Sequence, residues 1–381
     1  MGNRVAICAM AQIKNEPDIW YQRMQGMLRE CIKPVLDDTG ATYDLDKGIR
    51  NILTCSDDVF DARTISDNGV TDAVGAHFRG EEKVAQESIN GFGYAMSMIL
   101  SGHDDVVLYV GHAKESQTES RQMCTNLAFD PFYNRPVGLD FQNANAFQAR
   151  EYMEKSGVTD EHLAEVVVRS RENAAKNPYA RNNDKVTAKD VMNSAMLSDP
   201  VRELHQYPVT DWAYAFILCC EERAQEFCKN PVWLTGYGSC MDSYFLGDKD
   251  LTSNFSMKKA SAKAAKMAGI KDIKKEVGLF ELSDAVAYQL PMWAEGIGIA
   301  DEGKGGKWIE DGGPGKMNVN TSGGMLNGNP LLLSGAARVA ECYLQLKGEA
   351  GNRQVDGVKK ALAHGTTGAC GQHQGVVILE K

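Results

Sequence analysis

Ten cysteines are the first residues to weigh for chemistry, and their spacing offers little of it. They stand at positions 8, 31, 55, 124, 219, 220, 228, 240, 342 and 370 with no Cys-x-x-Cys pair, so neither a dithiol redox motif nor a zinc-ligand cluster is written into the chain. A chain of 381 residues buries a large core without disulfides, and most of these thiols read as reduced, small, buried hydrophobes. A second candidate is positional. Gly91 to Leu100 is a nearly wholly apolar helical stretch, and a helix apolar on all sides is enclosed by protein. Its N-terminus, where unpaired N–H groups and the helix dipole favour negative charge, is a place for chemistry. Ser88 stands just ahead of it, and by residue type alone it caps the helix. His364 and His373, the latter close to Cys370, read by themselves as structural histidines. Glycines crowd between Gly303 and Gly328, which suits tight turns or close backbone approach. No P-loop or dinucleotide fingerprint leads into a helix, which leaves nucleotide hydrolysis and hydride transfer without a motif.

The elements that must position these residues alternate between strand and helix signals. Val5 to Met10 reads as a buried strand, and Asp18 to Leu36 as a helix with Trp20, Met24, Met27, Leu28 and Ile32 at helical spacing. Asn51 to Cys55 and Asp105 to Val110 read as further strands. From Lys114 to Tyr207 the pattern loosens into polar helices and turns, including Asp160 to Arg171 and the Asn-rich Asn177 to Asn183, and is taken as an inserted loop domain. Alternation resumes with a strand from Val232 to Thr235, helices from Met257 to Ala268 and from Leu333 to Leu346, and a terminal strand from Gly375 to Leu379. The net charge of −10 and the lack of a long basic run argue against a nucleic-acid partner. Apolar stretches such as Ala213 to Cys220 are far too short to span a membrane, and Met1 to Met10 lacks the basic start and long apolar segment of a signal peptide. The expected location is the cytoplasm.

Several motifs in combination carry a resemblance. Asn318-Val319-Asn320-Thr321-Ser322-Gly323-Gly324, then Gly328-Asn329-Pro330 and Ser334-Gly335-Ala336-Ala337-Arg338, resemble the asparagine, Gly-Gly, Gly-His-Pro and Gly-Ala-Thr-Gly segment of thiolases. Gln345 to Gln354 is similar to the helix end and turn of thiolases of the sterol-carrier-protein type. Ala363-His364-Gly365 resembles their C-terminal catalytic loop, and Val84 to Gly91 with Asp105 to Gly111 resembles the nucleophile segment and the strand after it. Asp130-Pro131-Phe132, Arg135-Pro136 and Asn177-Pro178 resemble the loop region. The resemblance spans nearly the whole chain. It implies a duplicated α/β fold of five layers, αβαβα, with residues 1–113 and 208–231 as the first half, 114–207 as the loop domain and 232–381 as the second half. It also implies a homodimeric core, acyl-CoA and free CoA as substrates with no permanently bound cofactor, no metal in this chain, and a small partner subunit carrying a zinc ribbon and an OB-fold.

The same resemblance places the chemistry. Thiolases put a cysteine at the N-terminus of the central helix, where it is activated as a thiolate; the matching residue here is Ser88. Asn329 takes the place of the Gly-His-Pro histidine, and Ser283-Asp284-Ala285-Val286 that of the His-Asp-Ala-Phe motif. His364 remains in register as general acid and base. Gly323 and Gly324 form the wall of an oxyanion site, in which the Asn329 amide also donates, and Ser283 holds a water or substrate oxygen. For thiolysis of a 3-oxoacyl-CoA, Ser88 carries the acyl group with His364 as base, or Cys124, Cys240 or Cys370 replaces it as nucleophile. The alternative is a lyase performing retro-aldol cleavage of a 3-hydroxyacyl-CoA, with a tyrosine such as Tyr237, Tyr244 or Tyr288 as acid or base. A third reading is a non-catalytic scaffold that binds acyl-CoA. Phe129, Phe132, Tyr133 and Phe141 suit either a phenyl ring or core packing.

Overall fold

The computed structural model describes residues 4–56, 58–61, 66–84 and 86–381, with the backbone alone at 67. Residue 85 of the Val84–Gly91 segment and residues 1–3 of the N-terminal stretch lie outside the described residues. The apolar runs fold as strands β1 (Val5–Gln12), β2 (Asn51–Cys55), β3 (Gly80–Val84) and β4 (Val106–Lys114). After a small ribbon of β5 (Met196–Ser198) and β6 (Val201–Arg202) come β7 (Asp211–Cys220), β8 (Val232–Met241), β9 (Leu279–Glu281), β10 (Lys360–Thr367) and β11 (His373–Glu380). Nine of these form one sheet in the order β3-β2-β4-β7-β1-β8-β11-β10-β9. The helices that matter for the site are α1 (Met24–Thr39), α2 (Ile89–Leu100), α3 (Phe141–Ser156), α4 (Asp160–Ala174), α5 (Phe255–Met267), α6 (Gln289–Ile297) and α7 (Ser334–Lys347).

The sheet order reveals a duplication that the sequence by itself does not display. β2 and β4 run parallel, β4 and β7 antiparallel, and β7 and β1 antiparallel. β9 and β10, β10 and β11, and β11 and β8 repeat the same three relations. The two copies meet where β1 pairs antiparallel with β8. Helices repeat as well, since α1 follows β1 as α5 follows β8, and α2 precedes β4 as α7 precedes β10. α1 packs on β1, β4 and β7, α5 packs on β8 and β11, and α2 and α7 lie between strands of both halves. The layers are therefore αβαβα, the fold class expected from the resemblance. Ile89, Phe92, Met96 and Ile99 of α2 are buried, and each such side chain contributes about 1.5–3 kcal/mol by leaving water; the enclosure expected on all sides is incomplete, because Tyr94 and Ser97 are exposed.

Three expectations need correction. The first helix starts at Met24, not Asp18, and Trp20 and Tyr21 are exposed. The segment before it is tied elsewhere, because Ile19 N–H donates to Asp211 Oδ2 and Lys114 Nζ donates to the carbonyls of Ile19 and Gln22. Ala363-His364-Gly365 lie not in a loop but on β10, where His364 sits opposite Val376 of β11. Ser88 does not cap the helix it precedes: its side chain makes no bond to the first turn of α2. From Glu115 to Thr210 the chain leaves the sheet and builds α3, α4 and the β5–β6 ribbon.

Candidate active site

The duplication brings the N-termini of α2 and α7 together, and Ser88 belongs to both. Its N–H donates to Leu332 O at 2.7 Å, its carbonyl accepts from Tyr109 Oη at 2.7 Å, and its Oγ accepts from Ala336 N–H in the first turn of α7 at 2.8 Å. The Ser88 hydroxyl donates to Glu87 Oε1 at 3.2 Å. Glu87 does not stand out in the sequence motifs, yet it is the hub of the site. Its carboxyl accepts from Ile89 N–H of α2 at 2.6 Å, from Gly335 N–H of α7 and from Ser334 Oγ at 3.2 Å. Burial pushes this carboxyl up to about 7, against the lowering effect of those hydrogen bonds. The sequence does hold a usable signal, since Glu87 is the one Asp, Glu, Lys or Arg between Lys83 and Asp104.

Ser283 and His364 reach the same place from the second half of the fold. Ser283 Oγ shares a hydrogen bond with Ser334 Oγ at 2.7 Å and donates to His364 O at 2.8 Å. One chain of contacts thus runs from Ser88 through Glu87, Ser334 and Ser283 to the His364 backbone. The His364 ring is held differently. Gln374 Nε2 donates to Gly371 O, which turns Gln374 Oε1 toward His364 Nε2 at 2.6 Å, so Nε2 carries the proton. Nδ1 accepts from Ser283 N–H at 3.3 Å. Burial pushes the imidazole down to about 3, and the ring packs edge-on to Trp293, whose Nε1–H donates to Ser283 O. With both nitrogens engaged, His364 is a neutral, fixed ring in this conformation.

The remaining candidates fall into other environments. Asn329 donates through Nδ2 to Asn15 Oδ1 at 3.1 Å and accepts from Arg338, which also reaches Ser322 Oγ and Glu281. Gly323 and Gly324 have φ of +99° and +69°, but their N–H groups donate to Asn320 O and Ser322 Oγ. A Cβ on Gly324 would stand 2.5 Å from Asp284 Oδ1. Asp284 accepts from Met325 N–H at 2.6 Å, and burial pushes it up to about 7. These two glycines accordingly serve a packed turn, with their N–H groups already used.

Cys370 is buried and donates to Ala144 O at 3.2 Å, and burial pushes its thiol up to about 12; as a nucleophile it is disfavoured because the thiolate does not form near neutral pH. Cys240 lies on β8 opposite Gln374. Cys124 lines a cavity of ≈ 360 Å³ whose wall includes Gln86, Phe129, Phe141, Leu332 and Thr367. That cavity touches the residue two before Ser88, the residue whose carbonyl receives the Ser88 N–H, and the residue three beyond His364. Phe129 and Phe141 line it, whereas Phe132 and Tyr133 are exposed. Of the tyrosines, Tyr237 donates to Asn90 Oδ1 at 2.8 Å beside the first turn of α2, Tyr288 is buried between Asn145 and Gln148, and Tyr244 is exposed. His373 is buried. Among the described residues, no group of three or more His, Cys, Asp or Glu side chains is placed to hold a metal ion.

The duplicated αβαβα fold, with the N-termini of α2 and α7 meeting at a polar cluster, is the architecture that the resemblance to thiolases implies. Residues 238–381 match the family model for a thiolase C-terminal domain-like region. The chain is 35% identical over 283 residues to the acetyl-CoA acetyltransferase of Methanothermobacter thermautotrophicus, covering 72% of this chain and 73% of that one. It is 30% identical over 231 residues to benzoylsuccinyl-CoA thiolase subunit BbsB of Thauera aromatica, covering 59% and 60%. The solved Ltp2-ChsH2(DUF35) aldolase superposes with a TM-score of 0.81 at 20% identity, over 99% of this chain and 98% of that one, a likeness of fold. This chain belongs to the thiolase family and is an enzyme of that family.

Proposed function

We propose that this enzyme cleaves a 3-oxoacyl-CoA between C2 and C3 with free CoA as acceptor, passing the acyl group through Ser88. The observation that carries this reading is the hydrogen-bonded chain joining Ser88, Ser283 and the His364 backbone at the facing N-termini of α2 and α7. The facing helix N-termini favour negative charge on Glu87, whose carboxyl takes the Ile89 and Gly335 N–H groups, and the Ala336 N–H supports charge developing on Ser88 Oγ. Within this class, (S)-2-benzoylsuccinyl-CoA, giving benzoyl-CoA and succinyl-CoA, is the first substrate to test, supported by the relative from Thauera aromatica and by Phe129 and Phe141 in the cavity. CoA acts as co-substrate, with no permanently bound cofactor. The reading includes a homodimeric core with residues 114–207 as loop domain, and a small zinc-ribbon/OB-fold partner. The subunit naming of that relative and the DUF35 component named with the aldolase fold neighbour support the partner. No described helix is long and apolar enough to cross a membrane.

Three observations favour the second reading, retro-aldol cleavage of a 3-hydroxyacyl-CoA. Ser88 and His364 have no exposed surface, no thiol occupies the nucleophile position, and the aldolase neighbour shares the fold. Product analysis with and without free CoA decides between them. Cleavage of the 3-oxo substrate only when CoA is present supports thiolysis, and CoA-independent cleavage of the 3-hydroxy analogue overturns it.

A further inference from the structure

We propose that Glu87 is the proton acceptor and donor for Ser88, the role that the resemblance assigns to His364; the assignment rests on Ser88 carrying the acyl group. Geometry separates the two candidates. Glu87 Oε1 is hydrogen-bonded to the Ser88 hydroxyl, while both His364 ring nitrogens are engaged, Nδ1 with Ser283 N–H and Nε2 with Gln374. The acceptor is also built in. Gly335 and Gly365 both lack the Cβ that would collide with the carboxyl, and Ile89 N–H and Gly335 N–H fix its two oxygens from opposite helices. Groups facing it from the packed elements are the hydroxyls of Ser88 and Ser334, those two amides and the glycine at 365, and its charge also acts on the titratable side chains of Cys55 on β2, Tyr109 on β4, Tyr214 on β7 and Tyr237 on β8. A carboxyl pushed up to about 7 exchanges its proton near neutral pH.

The proton balance closes on this one group. The Glu87 carboxylate takes the Ser88 proton as Oγ bonds to the C3 carbonyl carbon. As the C2–C3 bond breaks, its electron pair moves to C2, and the Glu87 acid protonates C2 to release the shortened acyl-CoA. The carboxylate then takes the thiol proton of the incoming CoA, whose sulfur attacks the Ser88 ester. The departing Oγ recovers the proton from Glu87. Ala336 N–H, already on Ser88 Oγ at 2.8 Å, stabilises the oxygen at both displacements.

The test acylates Ser88 with p-nitrophenyl acetate across a pH series and follows the Ser88 peptide by mass spectrometry, with Ser88→Ala as blank. Wild-type labelling is expected to rise through about pH 7, and Glu87→Gln to label about a hundredfold more slowly with that pH dependence removed. His364→Gln is expected to keep it. Equal labelling rates in wild type and Glu87→Gln, or no label on Ser88 at any pH, overturn the assignment. Should Glu87→Gln fail to fold, the wild-type and His364→Gln series decide together: a rate rising through about pH 7 in both supports the assignment, and a rate flat with pH in wild type, or a rise lost in His364→Gln, overturns it. Glu87-dependent labelling without CoA-dependent cleavage would leave this assignment standing and remove the thiolytic reading.

Discussion

Gly365 is a glycine because Glu87 lies where its side chain would be: a Cβ at 365 would run into Glu87 Oε2. The two residues come from different halves of the duplicated fold, so the carboxyl is a wedge between them. Gly365→Ala is expected to cost about 1–3 kcal/mol, as overpacking of a full core does, read from the midpoint of urea unfolding. In the double variant with Glu87→Ala the collision is gone, and the two costs are expected to fall short of adding by about 1 kcal/mol or more. Strict additivity would show that the two do not meet.

Stability should carry the signature of these buried groups in opposite directions. Glu87 and Asp284 are both pushed up to about 7 from ordinary values of 4.5 and 3.8. Between those values the folded chain holds protons that the unfolded chain has released. Their contribution is therefore most favourable at low pH and declines as pH rises toward about 7. Glu87→Gln, which cannot ionise, should gain on wild type through that window by an amount on the order of 2–3 kcal/mol. A stability difference that is flat from about pH 4.5 to 8 would contradict the burial argument.

The histidines act the other way. His364 is pushed down to about 3, and His205 and His373 to about 4, from 6.5. The unfolded chain takes up protons below about 6.5 that the folded chain refuses, so stability is lost as pH falls below that point. Each should cost on the order of 2 kcal/mol by pH 5. His364→Gln, measured by thermal unfolding against pH, should lose less between about pH 7 and 5 than wild type does. An equal loss would mean that His364 already accepts a proton in the folded state.

Much of this architecture is legible in the sequence because its signals are local. The apolar runs at Val5, Asn51, Val106 and Val232 fold as strands, and the mostly apolar α2 packs against strands of both halves, with Tyr94 and Ser97 left exposed. β3 is not legible, since Gly-Glu-Glu-Lys-Val lies at a sheet edge with much of its surface open and carries no apolar pattern. β7 reads in the sequence only as an apolar stretch, and its central place appears once β1 and β4 flank it. Ser88 is legible as a position, whereas its partners are hidden. Gly335 and Ala336 stand some 250 residues away in sequence, and only the duplication brings the first turn of α7 onto Glu87 and Ser88.

Of the three thiols considered as nucleophiles, Cys124 adjoins the cavity and Cys370 is sealed. Iodoacetamide on the folded protein should modify Cys124 well before Cys370, as peptide mapping would show. Adding bulk at Cys124 should weaken acyl-CoA binding at least tenfold, while Cys124→Ala should leave the cleavage rate within about twofold, because the residue only lines the space. A loss of activity beyond a hundredfold in Cys124→Ala would instead make it the nucleophile.

Asn329 separates a catalytic from an architectural role most cleanly. Its amide is spent on Asn15 and Arg338, and Arg338 is itself buried against Glu281 and Ser322. Asn329→Ala would leave a buried guanidinium N–H without its acceptor, which costs about 1–3 kcal/mol. Denaturant unfolding should show that loss, while kcat per folded molecule, measured well below the lowered melting temperature, should fall by less than about fivefold. Asn329→Asp keeps the acceptor for Arg338 and should recover much of the stability at pH 7 while removing the amide donor. If the amide were an oxyanion donor, kcat in Asn329→Asp would instead fall by about a hundredfold or more, and the oxyanion role would be restored to it.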